Sequence, residues 1–216
     1  TNQRSTRYLR PFSEVHGAYR HFIPSISEQC DFKRKSADSI YTVSGRDQSG
    51  ILQSIFEYQT MICDLTGMDV SNACVYDGAE AGSRRCGNVQ ERKRKKAFVS
   101  TAILPDALAT IHTYCHGNGM EIVEIPEKRR RDRSGLSEKK YRRADSMCLY
   151  PHPNYYGNLE DAQAIGEIAH GAGAKYIMGV NPISLGIIKT PAEYGADVAV
   201  GDGQPLGLPL GLEDHT

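Results

Sequence analysis

Residues 146–180, SMCLYPHPNYYGNLEDAQAIGEIAHGAGAKYIMGV, decide the fold. Ser146 to Tyr150 is a short apolar run, and Tyr176 to Val180 is a second one. Between them Leu159, Ala162, Ile165, Ile168 and Ala169 recur at three- and four-residue steps. That period predicts a helix over Leu159 to His170, closed by Gly171 and Gly173. Two short apolar strands with a helix between them lie parallel, because the helix carries the chain back across a sheet face. Strands of near-continuous apolar character belong to a sheet covered on both faces.

The same alternation extends in both directions. Toward the N-terminus it predicts a strand at Ala97 to Ser100, a helix from Pro105 to Gly117 and a strand at Glu121 to Ile125. Toward the C-terminus it predicts a short turn at Ala192 to Tyr194 and an apolar strand, Ala196 to Val200, before Gly201. Further upstream, Ile51, Ile55, Tyr58, Ile62 and Leu65 mark an amphipathic helix from Ile51 to Leu65, with Gly67 as its stop. Val70 to Val75 reads as a short extended segment, and Asp77-Gly78-Ala79 as a turn into a helix from Glu80. Residues 127–143 read as a connection with room for a short helix. The fold class is therefore α/β with a mostly parallel sheet between helices. Such sheets bind ligands at the carboxyl ends of their strands, which directs attention to loops 76–82, 101–106, 151–158, 181–186 and 201–207. Four of these loops are rich in Gly and Pro, which permits close backbone approach to a ligand or a second chain.

Composition narrows the class. The chain has 216 residues, long enough for a core that needs neither disulfides nor a structural metal. No apolar run approaches the ~18 residues of a membrane helix, and Thr1 to Arg10 is polar with no apolar signal core, so a cytoplasmic or matrix-like compartment is expected, with the cytoplasm preferred. The six cysteines, at 30, 63, 74, 86, 115 and 148, form no C-x-x-C pair and no zinc spacing, and read as reduced thiols. No metal cluster or Ser–His–Asp order stands out, and His152 and His170 read as surface groups. Charge balances at 26 against 26 but is unevenly spread. Residues 84–143 hold 16 basic and 7 acidic residues, a net of +9, whereas residues 144–216 hold 2 and 9, a net of −7. The basic runs at 92–96, 128–133 and 139–143 lack interleaved aromatics. They read as solvated connections, or as a patch meeting an acidic partner, ahead of a nucleic-acid footprint.

Seven stretches in order resemble one family. They are Gly17 to Pro24; Ile55 to Thr60 with Thr66-Gly67-Met68; Tyr76 to Ala79; Pro153 to Gly157; Asn181 to Gly186; Glu193 to Asp197; and Gly201 to Gly207. Together they are similar to the N-terminal half, subunit 1, of glycine dehydrogenase (decarboxylating), the P-protein of the glycine cleavage system. The resemblance runs from about residue 12 to 211. It implies a fold-type-I pyridoxal-phosphate architecture, with residues 1–45 as an arm and interface segment and 46–216 as a partial large domain lacking the C-terminal small domain. It also implies a partner, subunit 2, in an α2β2 assembly that decarboxylates glycine and passes the aminomethyl group to the lipoyl arm of the H-protein. Subunit 2 would carry the lysine that holds pyridoxal phosphate. Tyr19, His21, Tyr41, Thr42, Gln204 and Pro205 would then serve the partner's site or the interface.

The chain's own copy of the cofactor site reads as degenerate. Its candidate members are Asn154, Asp77 and Gly78, with no catalytic residue. No Lys lies in Gly201 to Gly207. Asn181 stands where the family has an Asp to charge the pyridine nitrogen, Leu104 where it often has a stacking His, and Glu80 where it usually has Thr near the phosphate. The family segment after Tyr41-Thr42 is replaced by Val43 to Asp47. The alternative reading is a diverged, non-catalytic paralogue or fragment that acts as a binding or scaffold module.

Overall fold

The computed structural model describes residues 21–27, 49–88, 96–128, 131–132 and 147–208. Helix α1 (Ser49–Thr66) and helix α2 (Gly78–Asn88) precede strand β1 (Lys96–Ser100), helix α3 (Pro105–Gly117) and strand β2 (Glu121–Ile125). Two short strands, β3 (Glu127–Lys128) and β4 (Arg131–Asp132), form an antiparallel pair where the sequence suggested a short helix. Strand β5 (Met147–His152), helix α4 (Ala162–Gly171), strand β6 (Lys175–Val180) and strand β7 (Val198–Val200) complete the order.

Five strands make one sheet in the order β2-β1-β5-β6-β7. Every neighbouring pair is parallel. The order reverses between β1 and β5: the chain leaves β1 outward to β2, then returns to β5 and proceeds the other way. Open parallel sheets place ligands at the carboxyl side of such a reversal.

The central strands β1, β5 and β6 carry apolar runs because both their faces are buried, and alternate residues serve opposite cores, whereas the edge strand β2 exposes Glu121 and Glu124. Ala97, Val99, Met147, Leu149 and Ile177 point to the face that also buries Ile111 and Cys115 of α3. Phe98, Cys148, Tyr150, Tyr176 and Met178 point to the other face, with Ala162 and Ala169 of α4. Helix α2 lies on the first face, where Gly82 comes within van der Waals reach of Leu149 and Ile111.

Local sequence sets the element ends. Gly67 ends α1 at φ +71°, a left-handed conformation that glycine adopts without strain. Helix α4 begins three residues later than expected, at Ala162. Asp161 caps it, its carboxylate accepting the Ala164 N–H at 3.2 Å, and Leu159 lies outside it, half exposed. Strand β5 continues past Tyr150 through Pro151 and His152, paired with Gly179 and Val180. Strand β7 is shorter than expected, and the segment Val70 to Val75 joins no sheet and carries one bend, at Ala73. Asp197, just before β7, gathers Lys175 Nζ (2.8 Å), His170 Nε2 (2.9 Å) and the Tyr176 N–H (2.9 Å). Partial burial would raise this carboxyl, but the bonds from Lys175, Tyr176 and His170 outweigh it and hold the group below its ordinary value.

Candidate functional site at the carboxyl edge

The loops that follow β1, β5, β6 and β7 share the carboxyl edge of the sheet, and α1 lies along it. The Thr66 carbonyl accepts the Ala192 N–H at 3.4 Å. The left-handed Gly67 sits where a Cβ would come within 3.0 Å of both Ala192 and Thr190. The Tyr58 hydroxyl reaches Gly203, 3.1 Å from where a Cβ would stand.

Loop 201–208 is the hub of this edge. Gly201 has no room for a side chain, since a Cβ would collide with the Val180 carbonyl. Gln204–Leu206 forms a 3-10 turn with Pro205 buried beneath it. The Gln204 carbonyl accepts the N–H groups of Gly207 (3.2 Å) and Leu208 (3.0 Å). The Leu208 carbonyl bonds His21 Nε2 at 2.6 Å, and Gly207 packs against Pro24. The structure thus brings His21 together with the loop that holds Gln204 and Pro205. Tyr19, Tyr41, Thr42 and the altered segment 43–47 lie outside the described residues.

On its other side the same loop meets the N-terminus of α2. The Asp202 carboxylate accepts the Gly78 N–H at 2.7 Å, and Asp77 Oδ1 accepts the Glu80 N–H at 2.5 Å. Glu80 turns back to accept the Tyr76 N–H at 2.8 Å, while Arg84 Nε (2.7 Å) and Tyr114 OH (3.3 Å) donate to its other oxygen. The Tyr76 N–H, followed by Arg84, holds the Glu80 carboxyl below its ordinary value, so it is ionised at neutral pH. Asp77 and Glu80 reproduce the reciprocal logic of a capping box at a helix start. Beside them an open cleft of about 720 Å³, lined by Cys74, Tyr76, Glu80, Arg84 and Tyr114 among others, runs between α2 and α3.

Asn154 is not joined to this cluster by any of these bonds. It organises its own loop: Oδ1 accepts the N–H groups of Tyr156 (3.0 Å) and Asn158 (3.0 Å), and Nδ2 donates to Glu160. The crevice at the strand reversal is bridged directly, because the Tyr155 N–H donates to the Ala102 carbonyl at 2.8 Å. Asn181 caps the 3-10 turn Pro182–Gly186 by accepting the Ile183 N–H at 3.2 Å.

These residues do not fit pyridoxal phosphate. A phosphate dianion needs free N–H donors at a helix N-terminus and no competing negative charge. Here the donors of Gly78 and Glu80 are already taken by carboxylates, and Asn181 brings no charge for a pyridinium.

Two features were not foreseen. Asp202 lies inside a quoted motif, but its contact with Gly78 joins residues 124 apart in sequence, and nothing local signals it. His152, expected at the surface, is buried at 2% exposure in the last position of β5, stacked edge-on against Tyr194 with ring centroids 5.2 Å apart. Neither ring nitrogen has a hydrogen-bond partner among the described residues, and burial pushes the imidazole below its ordinary value. His170 is half exposed, as expected, and pairs with Asp197. Among the described residues no three His, Cys, Asp or Glu side chains converge as a metal site, and Cys63, Cys74, Cys115 and Cys148 form no disulfide.

Comparison with known proteins adds sequence-wide evidence. The family model for the glycine cleavage system P-protein matches residues 8–213. The probable glycine dehydrogenase (decarboxylating) subunit 1 of Desulfitobacterium hafniense is 40% identical over 195 residues, covering 90% of this chain and 44% of that protein. The protein of the same description from Syntrophomonas wolfei is 41% identical over 200 residues, with the same coverage. A crystal structure of glycine decarboxylase (P-protein) of the glycine cleavage system, in inhibitor-bound form, superposes with a TM-score of 0.80 at 36% identity, covering 91% of this chain and 44% of that one. A cysteine desulfurase of Escherichia coli shares the fold alone, with a TM-score of 0.61 at 15% identity over 85% of this chain and 48% of its own. The chain spans less than half the length of the curated relatives it matches.

Proposed function

We propose, from the premise that the chain belongs to the glycine cleavage system P-protein family, that it works as a non-catalytic part of a glycine-decarboxylating enzyme. The observation that carries this reading is the match over residues 8–213, with seven family-like stretches in order along it. The Gly78 and Glu80 N–H donors of the chain itself are filled, which supports a reading in which pyridoxal phosphate and its lysine belong to a partner, subunit 2, in an α2β2 assembly. When bound there, the cofactor supplies the electron sink for loss of carbon dioxide from glycine. The contribution of this chain is shape. Residues 46–216 give the large-domain part, and loop 201–208, joined to His21, offers the half-buried Gln204 at the edge assigned to the partner, with the buried Pro205 fixing the turn that carries it. Tyr19, Tyr41 and Thr42 belong to the arm that would reach the partner's site. Lipoyl H-protein accepts the aminomethyl group. No helix among the described residues is long and apolar enough to cross a membrane, and we place the assembly in the cytoplasm.

The test is glycine decarboxylation by a catalytic subunit 2 with pyridoxal phosphate and H-protein, with and without this chain. Activity that depends on the chain is the expected result. Absence of activity, with a full-length subunit 1 working in parallel, would favour the second reading, a scaffold module that assembles without supporting turnover. The replacement at Val43 to Asp47 is the observation behind that second reading.

A further inference from the structure

We infer that Asp202 is a built-in occupant of the anion position at the start of α2, so that this copy of the cofactor cradle is closed from within. The inference rests on the reading of the chain as the subunit that does not hold pyridoxal phosphate, and it names the group that keeps it so. A helix of this length presents unpaired N–H groups and partial positive charge at its N-terminus, which attract a phosphate. Gly78 opens α2, and its missing side chain leaves a shallow cradle. That cradle is full: a Cβ on Gly78 would meet Asp202 Oδ2 at 2.9 Å, Oδ1 at 3.0 Å and Cγ at 3.1 Å. The carboxylate also takes the Gly78 N–H at 2.7 Å. It arrives from the loop after β7, held in place because Gly201 is pressed against the Val180 carbonyl and Gly203 against Tyr58. Asp77 consumes the Glu80 N–H with its own carboxylate, and the Glu80 carboxylate, paired with Arg84, is a third acidic group one turn away. An incoming phosphate would have to displace one carboxylate and approach two more.

The closure also has a mechanical side. Asp202 ties the start of α2 to the loop that contacts His21, so one side chain fixes the angle between a helix on the sheet face and the hub of the carboxyl edge. The negative charge at the start of α2 is supplied by the chain itself.

Binding of inorganic phosphate and of pyridoxamine 5′-phosphate to the 216-residue chain tests this directly. The second probe has no aldehyde to react with surface lysines. Titration calorimetry on the wild type is expected to show no saturable binding of either probe. Asp202→Gly, which removes both charge and bulk, is expected to bind both at least about ten-fold more tightly. Wild-type binding equal to that of Asp202→Gly overturns the inference, and so does a folded Asp202→Gly that gains nothing. A melting cycle supplies an independent readout. Gly78→Ala is expected to lower the melting temperature in the wild type, where the new Cβ strikes the carboxylate, and to cost far less beside Asp202→Gly. Equal costs in the two backgrounds would show that the carboxylate does not fill the cradle. Should Asp202→Gly fail to fold, wild type decides: saturable thermal stabilisation by pyridoxamine 5′-phosphate over pyridoxamine, each at the same millimolar concentration and ionic strength, overturns the inference, and its absence supports it. None of these measurements involves subunit 2, so their failure is separable from failure of the reconstitution assay.

Discussion

His152 shows what a single residue can hide. The Pro on each side of it made the stretch read as a surface loop, yet parallel pairing with Val180 carries β5 through Pro151 and buries the imidazole against Tyr194. Neutral imidazole is the form that burial tolerates. The unfolded chain takes up a proton near the ordinary histidine value of about 6.5, while the folded chain resists it. Stability held above that value is therefore lost as pH falls through the lower folded one. His152→Phe removes two ring nitrogens that have no partner among the described residues. It is expected to be as stable as wild type at pH 7, or more so by up to about 1 kcal/mol, and to lose the component of acid sensitivity that begins near 6.5. Urea unfolding at several pH values checks both, and an unchanged pH slope would rule out His152 as its source. The candidate site was legible unevenly at this scale. Asp77 and Gly78 could be picked out as a turn pair, and Gln204 and Pro205 through the family resemblance of their loop. The role of Asp202 could not, since its partner is far along the chain.

Among the elements, those with a clear period were the most readable. Helix α3 has the bounds that its spacing predicts, and Gly67 ends α1 as its position suggested. Helix α4 was placed three residues early because Leu159 fits the apolar face. The stronger signal was Asp161 three residues ahead of Ala164, a cap that fixes the first turn whatever precedes it. The β3–β4 pair was missed because a run of charged residues has no periodicity to read. Strand β7 packs Val198 and Val200 against one core and also depends on backbone closeness. Its end is pressed against β6 at Gly201, where any side chain collides with the Val180 carbonyl. Gly201→Ala is expected to destabilise the chain by about 1–3 kcal/mol. Circular dichroism melts measure the loss, and a wild-type midpoint would show that the loop yields without cost.

For the molecule as a whole, one sheet serves two cores. Met147, Leu149 and Ile177 line one, and Tyr150, Tyr176 and Met178 the other. Ile177 is fully buried at the middle of β6, between β5 and β7. Ile177→Ala should cost about 2–5 kcal/mol. Because strands are shared, the loss should appear in a single transition followed equally by tyrosine fluorescence and far-ultraviolet circular dichroism. Two separated transitions would mean that the faces unfold independently. The α/β class was legible because every core strand is apolar on both faces. The order β2-β1-β5-β6-β7 was not, since strand order depends on which helix covers which face.

Asp197 lies within one of the stretches quoted at the outset, and its geometry bears on how the sequence can drift. Its carboxylate is shared by two side chains and a main-chain N–H, and only the last is present whatever residue follows β6's first position. Exchange of His170 or Lys175 still leaves the acid anchored, while exchange of the acid releases three donors at once. Evolutionary latitude is therefore lopsided here: positions 170 and 175 are free to wander, and position 197 carries the obligation for all of them.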